Sequence, residues 1–186
     1  DGTAPKVDLR PAHTDHAGRM IEAGGWWDWP LRDYIDARGK THGHLWAIDL
    51  GAAFGWFTIY LARHFAHVIA VEAHPQTVNE VLVPNLERHG LLGARVSVVP
   101  IVAYDRPGWF KPAADSVVGW PVPGDLNQTP NASSIAFVSV DSGLDMVDRP
   151  LVAGGPLDDL IPGDCTIGLI KADVQGCDLR ALVGLA

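Results

Sequence analysis

Cysteine is almost missing from this chain: Cys165 and Cys177 are the only two among 186 residues, and they form no paired metal spacing. A disulfide framework and a cysteine-rich zinc site are thereby excluded as organising features, and no metal is expected. So low a cysteine usage fits a reducing, cytoplasmic compartment. No apolar run approaches the length of a membrane span, and the first residues lack a basic stretch followed by an apolar one. Neither membrane insertion nor a secretory leader is expected. Positive charge is also scarce, with 14 Lys and Arg against 22 Asp and Glu and a formal charge of −8. The basic residues are scattered and make no stripe that tracks phosphates, which argues against a nucleic-acid partner. The initiating methionine is absent as well, so the chain, which begins at Asp1, is expected to be a piece of a longer protein.

What is present points to a folded domain, since 47% of residues are apolar and only 19% charged. Residues 1–43 read as a polar lead-in followed by a helix over Asp28–Arg38. Asp28 is expected to cap that helix, Pro30 suits its first turn, Leu31, Tyr34 and Ile35 share one face, and Gly39 ends it. Trp26, Trp27 and Trp29 at its entrance are expected to pack as a lid on the sheet, with substrate contact as the alternative. Residues 44–186 then alternate strand and helix. His44–Leu50 and His67–Val71 are short apolar strands, and the helix between them carries Phe57, Tyr60, Leu61 and Phe65 at helical spacing. Pro75 opens another helix, Gly90 lies past its end, and Pro84 inside it predicts a kink or break. Arg95–Val102 is a third strand with Pro100 as its weak point. Residues 104–132 read as a long connection, with Ser134–Val140 and Met146–Val152 as the arms of a small hairpin. Leu157–Leu160 is a helical turn, Thr166–Val174 the fourth strand, and Asp178–Val183 the start of a helix.

This alternation predicts an α/β, Rossmann-like fold with parallel strands, right-handed crossovers and the strand order 3-2-1-4. The fourth strand is then an edge although it is nearly continuously apolar, the pattern of a strand buried on both faces. Something is expected to cap it: the Ser134–Val152 hairpin, a second copy of the chain in a homo-oligomer, or C-terminal strands beyond Ala186.

Three segments carry chemistry. Asp49-Leu50-Gly51-Ala52-Ala53-Phe54-Gly55 joins a strand to a helix, where glycine lets a ligand approach the backbone at the carboxyl end of the sheet. Ala53 and Trp56 stand where a dinucleotide fingerprint needs glycine, and the P-loop lysine is absent, which favours a nucleoside without phosphates. Glu72 ends the second strand about 20 residues further on, where a carboxylate accepts hydrogen bonds from both ribose hydroxyls. Asp173, at the tip of the fourth strand beside the first, is a candidate general base. Lys171 shares its face by alternation and is expected to hold the loop through an ion pair. His64 and His67 are weaker base candidates, better read as packing or surface residues.

Taken together, Ala47–Gly55, Val71-Glu72-Ala73-His74-Pro75, Pro156–Leu160 and Ile170–Asp178 resemble the FkbM-type family of S-adenosylmethionine-dependent methyltransferases. The resemblance spans residues 44–186 and implies a class I methyltransferase fold, S-adenosyl-L-methionine as cofactor and O-methylation of a small-molecule acceptor such as a sugar or natural product. It implies that Gly51, Ala52 and Gly55 line the cofactor, that Asp49 steadies its methionine end, and that Asn85 matches a position where the family often has asparagine. Two departures concern catalysis: Gln175 stands where the family usually has glutamate, and Cys177-Asp178 where it has Ala-Glu. Asp173 or Asp178 is then left to supply the carboxylate. Two other readings follow from the same residues, a non-catalytic methyltransferase-like binding module and a nicotinamide-dependent oxidoreductase, the latter opposed by Ala53 and Trp56.

Overall fold

The computed structural model describes residues 6–7, 21, 23, 28–112, 137–140 and 151–185. Helix α1 (Trp29–His42) precedes strand β1 (Trp46–Leu50), and α2 (Trp56–His64) leads to β2 (His67–Val71). A short α3 (Pro75–Thr77) runs through a π-helical turn (Val78–Leu82) into α4 (Val83–Arg88), followed by β3 (Val96–Val99). Four short strands come next: β4 (Val102–Ala103), β5 (Gly108–Pro112), β6 (Phe137–Ser139) and β7 (Val152–Gly155). Strand β8 (Ile167–Ala172) and helix α5 (Asp178–Val183) complete the described elements.

The central sheet is parallel throughout and ordered β3-β2-β1-β8, so the fourth strand of the expected 3-2-1-4 order is β8. Side chains along it alternate between two cores. Ala47, Val68, Ala70 and Val96 pack with Tyr60, Leu61, Phe65 and Leu86 from the helices on one face. Ile48, Leu50, Ile69 and Val71 pack with Leu157 and Ala181 on the other. Helix α2 is buried nearly all round, from Trp56 through Ala62, as a helix apolar on every side must be. Each large apolar side chain it buries contributes about 1.5–3 kcal/mol. The fold is therefore Rossmann-like, an α/β sheet covered on both faces.

Register sets the site. Leu50 pairs with Val71 on one side and Ala172 on the other. The next residue of each strand, Gly51, Glu72 and Asp173, therefore emerges at one common end of the sheet.

Several expectations are corrected. Asp28 does not cap α1 with its side chain; it sits at φ 51, and its carbonyl receives the Leu31 amide at 3.0 Å. Gly39 does not end α1, which runs on to His42. A β-carbon at Gly39 would lie 2.7 Å from the His64 β-carbon, so glycine serves the crossing of α1 over α2. Ile35 is buried as expected, but Tyr34 of the same supposed face is exposed. The Arg95–Val102 strand divides at Pro100: Val96–Val99 stays in the central sheet, and Val102–Ala103 enters a second one. That sheet is ordered β4-β7-β5-β6, with Phe110, Val102 and Val152 as its core. Part of the long connection is thus the strand β5, with β6 and β7 paired to its two sides, while most of the second arm of the expected hairpin, residues 146–150, lies outside the described residues. Residues 113–136 and 141–150 lie outside the described residues, as do Trp26, Trp27 and the side chain of Trp29. Among the described residues β8 has no second neighbour in the sheet.

The helix expected to kink or break at Pro84 instead runs on through it, by way of a local π-helical turn. Proline has no amide to donate, and the chain passes through a π-helical turn just before it, with the Val83 amide reaching back five residues to the Val78 carbonyl.

Candidate active site

The turn after β1 is tightened from three directions. Gly51 at φ +77 and Gly55 at φ +88 adopt left-handed backbone that only glycine enters freely. The amides of Gly51 and Ala52 both donate to the Val71 carbonyl, at 2.9 and 3.0 Å. Ala53, a left-handed non-glycine residue at φ 47, turns its amide onto Glu72 Oε2 at 2.9 Å. The other Glu72 oxygen accepts the His74 amide at 2.8 Å. Glu72 is thus not a loose strand-end acid but a bridge between the two strand ends. Burial pushes its carboxyl above the ordinary value, and the two amides and the Lys171 ammonium pull it partly back.

His74 is buried and caps α3, its Nδ1 accepting the Thr77 amide at 3.2 Å and facing Thr77 Oγ1 at 2.7 Å. Asp49 is fully buried. Its Oδ2 accepts the Thr58 hydroxyl at 2.6 Å and its Oδ1 faces Lys171 Nζ at 3.0 Å. Asn85 is buried too, donating to the Phe54 carbonyl at 2.9 Å and accepting from Arg88 at 2.8 Å. Both residues hold the turn from behind, and Asp49 Oδ1 is buried with an ion-pair partner in Lys171 but no hydrogen bond. Sequence reasoning missed Thr58 and the Ala53 amide altogether. Thr58 had one usable signal, a lone hydroxyl inside an otherwise apolar helix.

On the far side of β1, Asp173 is exposed just past the end of β8. Its amide donates to the Leu50 carbonyl at 3.0 Å, and Gln175 Nε2 donates to its Oδ1 at 3.0 Å. Gln175 is exposed, at φ 52. Asp178 closes this loop, its two oxygens accepting the Val174 amide at 3.0 Å and the Gly176 amide at 3.3 Å. The Val174 amide above all holds its carboxyl below the ordinary aspartate value. A depressed carboxyl is a weak base, which disfavours Asp178 as a general base.

His64 and His67 are elsewhere. His67 begins β2, at the opposite end of the sheet, where its ring lies 4.3 Å from that of Trp46 and its Nε2 2.9 Å from Ser97 Oγ. His64 ends α2 and meets Asp36 at 3.4 Å. Neither lies with the cluster at the carboxyl ends of the strands. Among the described residues, no cluster of His, Cys, Asp and Glu could hold a metal ion, and no helix is long and apolar enough to cross a membrane.

No family model and no curated protein matches the chain. Solved structures do. The chain is similar to methyltransferase FkbM from Methylobacillus flagellatus KT, at 20% identity and TM-score 0.46, over 77% of this chain and 29% of that one. It is similar to the C-terminal domain of precorrin-6Y C5,15-methyltransferase from Rhodobacter capsulatus, at 15% identity and TM-score 0.38, over 66% of this chain and 55% of that one. A third is an rRNA methylase from Streptococcus thermophilus, at 16% identity and TM-score 0.35, covering 40% of this chain and 43% of that one. This chain spans less than a third of the FkbM chain and about half of the precorrin-6Y domain. These are likenesses of fold alone, and the strand order with its glycine turn establishes a Rossmann-like α/β chain.

Proposed function

We propose that this chain is an S-adenosylmethionine-dependent methyltransferase domain that O-methylates a small molecule of the sugar or natural-product class. The observation that carries the reading is the bridged Glu72 carboxylate, fixed by the Ala53 and His74 amides at the mouth of the glycine turn. Each of its oxygens uses one lone-pair site on an amide and has another, and a ribose diol offers two hydroxyl donors. The rest of the turn fits a nucleoside without phosphates. Lys171, the cation beside it, is spent on Asp49 and two carbonyls, and Trp56 is packed into the core. That combination disfavours a dinucleotide pyrophosphate.

S-adenosylmethionine, when bound, supplies a methyl group on a sulfonium. Gly51, Ala52 and Gly55 give the turn its close backbone approach, Glu72 orients the ribose, and Asp49 and Asn85 keep the turn in shape. Asp173 takes the proton from the acceptor hydroxyl, oriented by the Gln175 amide on its Oδ1. Holding that hydroxyl close and in line is the larger contribution of the chain.

Calorimetric titration with S-adenosylhomocysteine, followed by a turnover assay for its release from S-adenosylmethionine, tests the reading. Binding without turnover favours the non-catalytic module, for which Gln175 in place of a carboxylate is the supporting observation. A nicotinamide dinucleotide binding in place of the adenosyl ligand defeats the reading.

A further inference from the structure

Lys171 stands directly opposite Asp49 in the β1–β8 ladder. Its Nζ lies 3.0 Å from Asp49 Oδ1, 2.9 Å from the Gly51 carbonyl and 3.3 Å from the Leu50 carbonyl, and 5.5 Å from the centre of the Phe57 ring. Two of the ammonium's donors are thus used by the Leu50 and Gly51 carbonyls, and the Asp49 contact is an ion pair, with the lysine side chain 8% exposed and the aspartate 0%. A buried pair of this kind is on balance no more stabilising than two apolar side chains of similar volume. Its distinct contribution is geometric.

The geometry joins two segments. Leu50 and Gly51, whose carbonyls Lys171 holds, open the glycine turn. The Leu50 carbonyl also accepts the Asp173 amide, and the Asp173 carbonyl packs against the α-carbon of Gly51. Two residues after Lys171 the chain enters the loop bearing Asp173, Gln175 and Asp178. The lysine charge acts on carboxylates of both segments, Glu72 on one side and Asp178 on the other.

We infer that Lys171 is the positioning residue of the site: its ammonium locks the Gly51 turn to the Asp173 loop, so that the cofactor and acceptor halves hold together as one unit. Naming those halves rests on the reading of the crevice as an adenosyl site. The lock itself does not.

The test uses the ligand-free chain, with Lys171→Met and, in case that variant fails to fold, the paired Asp49→Asn/Lys171→Met change that removes both charges together. Amide hydrogen exchange at Gly51–Gly55 and at Val174–Gly176 should accelerate by about ten-fold or more, while Val68–Val71 in the neighbouring strand keeps its protection. S-adenosylhomocysteine affinity should fall by about ten-fold, and in Lys171→Met its acid limb should move to higher pH, because Glu72 loses its cation and retains Asp49, whereas in the paired variant the two changes oppose each other. Turn and loop amides that exchange as in the parent chain overturn the inference. So does a uniform acceleration that includes Val68–Val71, which marks a merely structural lysine. Failure of the parent chain to bind S-adenosylhomocysteine defeats the functional reading instead, and the exchange comparison still decides the role of Lys171.

Discussion

The carbonyl oxygen of Asp173 lies 2.0 Å from the point where a β-carbon on Gly51 would stand. No side chain fits there, and the carbonyl cannot retreat easily because the Asp173 amide is held by Leu50. Gly51→Ala must bear both this overlap and the left-handed backbone. Gly90, at φ +64 with open space around it, bears only the second cost, about 1–2 kcal/mol. Urea unfolding should therefore show Gly51→Ala as the more damaging change by at least about 1–2 kcal/mol. Equal losses at the two positions would mean that the strand ends are not in close contact.

Glu72 ties the turn to the second strand and, in the proposed function, holds the ribose. Glu72→Ala should weaken S-adenosylhomocysteine binding by roughly 1–3 kcal/mol, the usual loss when hydrogen bonds to a charged group disappear. The pH dependence has a definite sign. Ribose hydroxyls donate to the ionised carboxylate, and burial raises this carboxyl above its ordinary value. Affinity should then be full at neutral pH and fall as pH drops, beginning above the usual carboxylate range. Calorimetry across that range checks it, and a flat profile would remove Glu72 from the binding site.

Gln175→Glu tests the acceptor side. The change replaces the amide that donates to Asp173 with a second carboxylate. It should alter turnover while leaving S-adenosylhomocysteine affinity within about two-fold, since the nearest polar contact is Asp173 and not Glu72. A tenfold change in affinity with turnover intact would place Gln175 on the wrong side of the crevice.

The parallel sheet was legible because its signals are local and mutually consistent. Apolar strands alternate with helices, and glycine follows β1 where the backbone turns left-handed. The second sheet was not legible. Its strands are two to five residues long, and its pairings join Val102 to Gly154 and Phe110 to Ser139, separations that no local pattern encodes. The site divides in the same way. The spacing of Glu72 to the turn puts its carboxylate within reach of the Ala53 amide, as the structure has it. Asp49, which the resemblance puts at the methionine end of the cofactor, also has a scaffold contact that no pattern announces: its Oδ2 accepts the Thr58 hydroxyl and its Oδ1 pairs with Lys171. Asn85 likewise binds the turn carbonyl of Phe54. Sequence pattern selects such residues without saying whether they face the ligand or the scaffold.

Gly39 shows a local rule overridden by packing. Alanine at a mid-helix glycine ordinarily gains about 1 kcal/mol. At Gly39 the new β-carbon would meet the His64 β-carbon at 2.7 Å, beside the Tyr60 hydroxyl that donates to Asp36. Gly39→Ala should therefore destabilise the chain in thermal melting, and a rise in Tm would show that α1 does not press on α2.

Amide chemical-shift mapping during titration with S-adenosylhomocysteine addresses the proposed binding crevice most directly. Saturable shifts should concentrate at Gly51, Ala52, Ala53 and Gly55 and at Glu72 and His74, with the strand starts near Trp46 and His67 unmoved. Saturating ligand that leaves Ala53 and Glu72 unshifted would contradict an adenosyl site at the ends of β1 and β2.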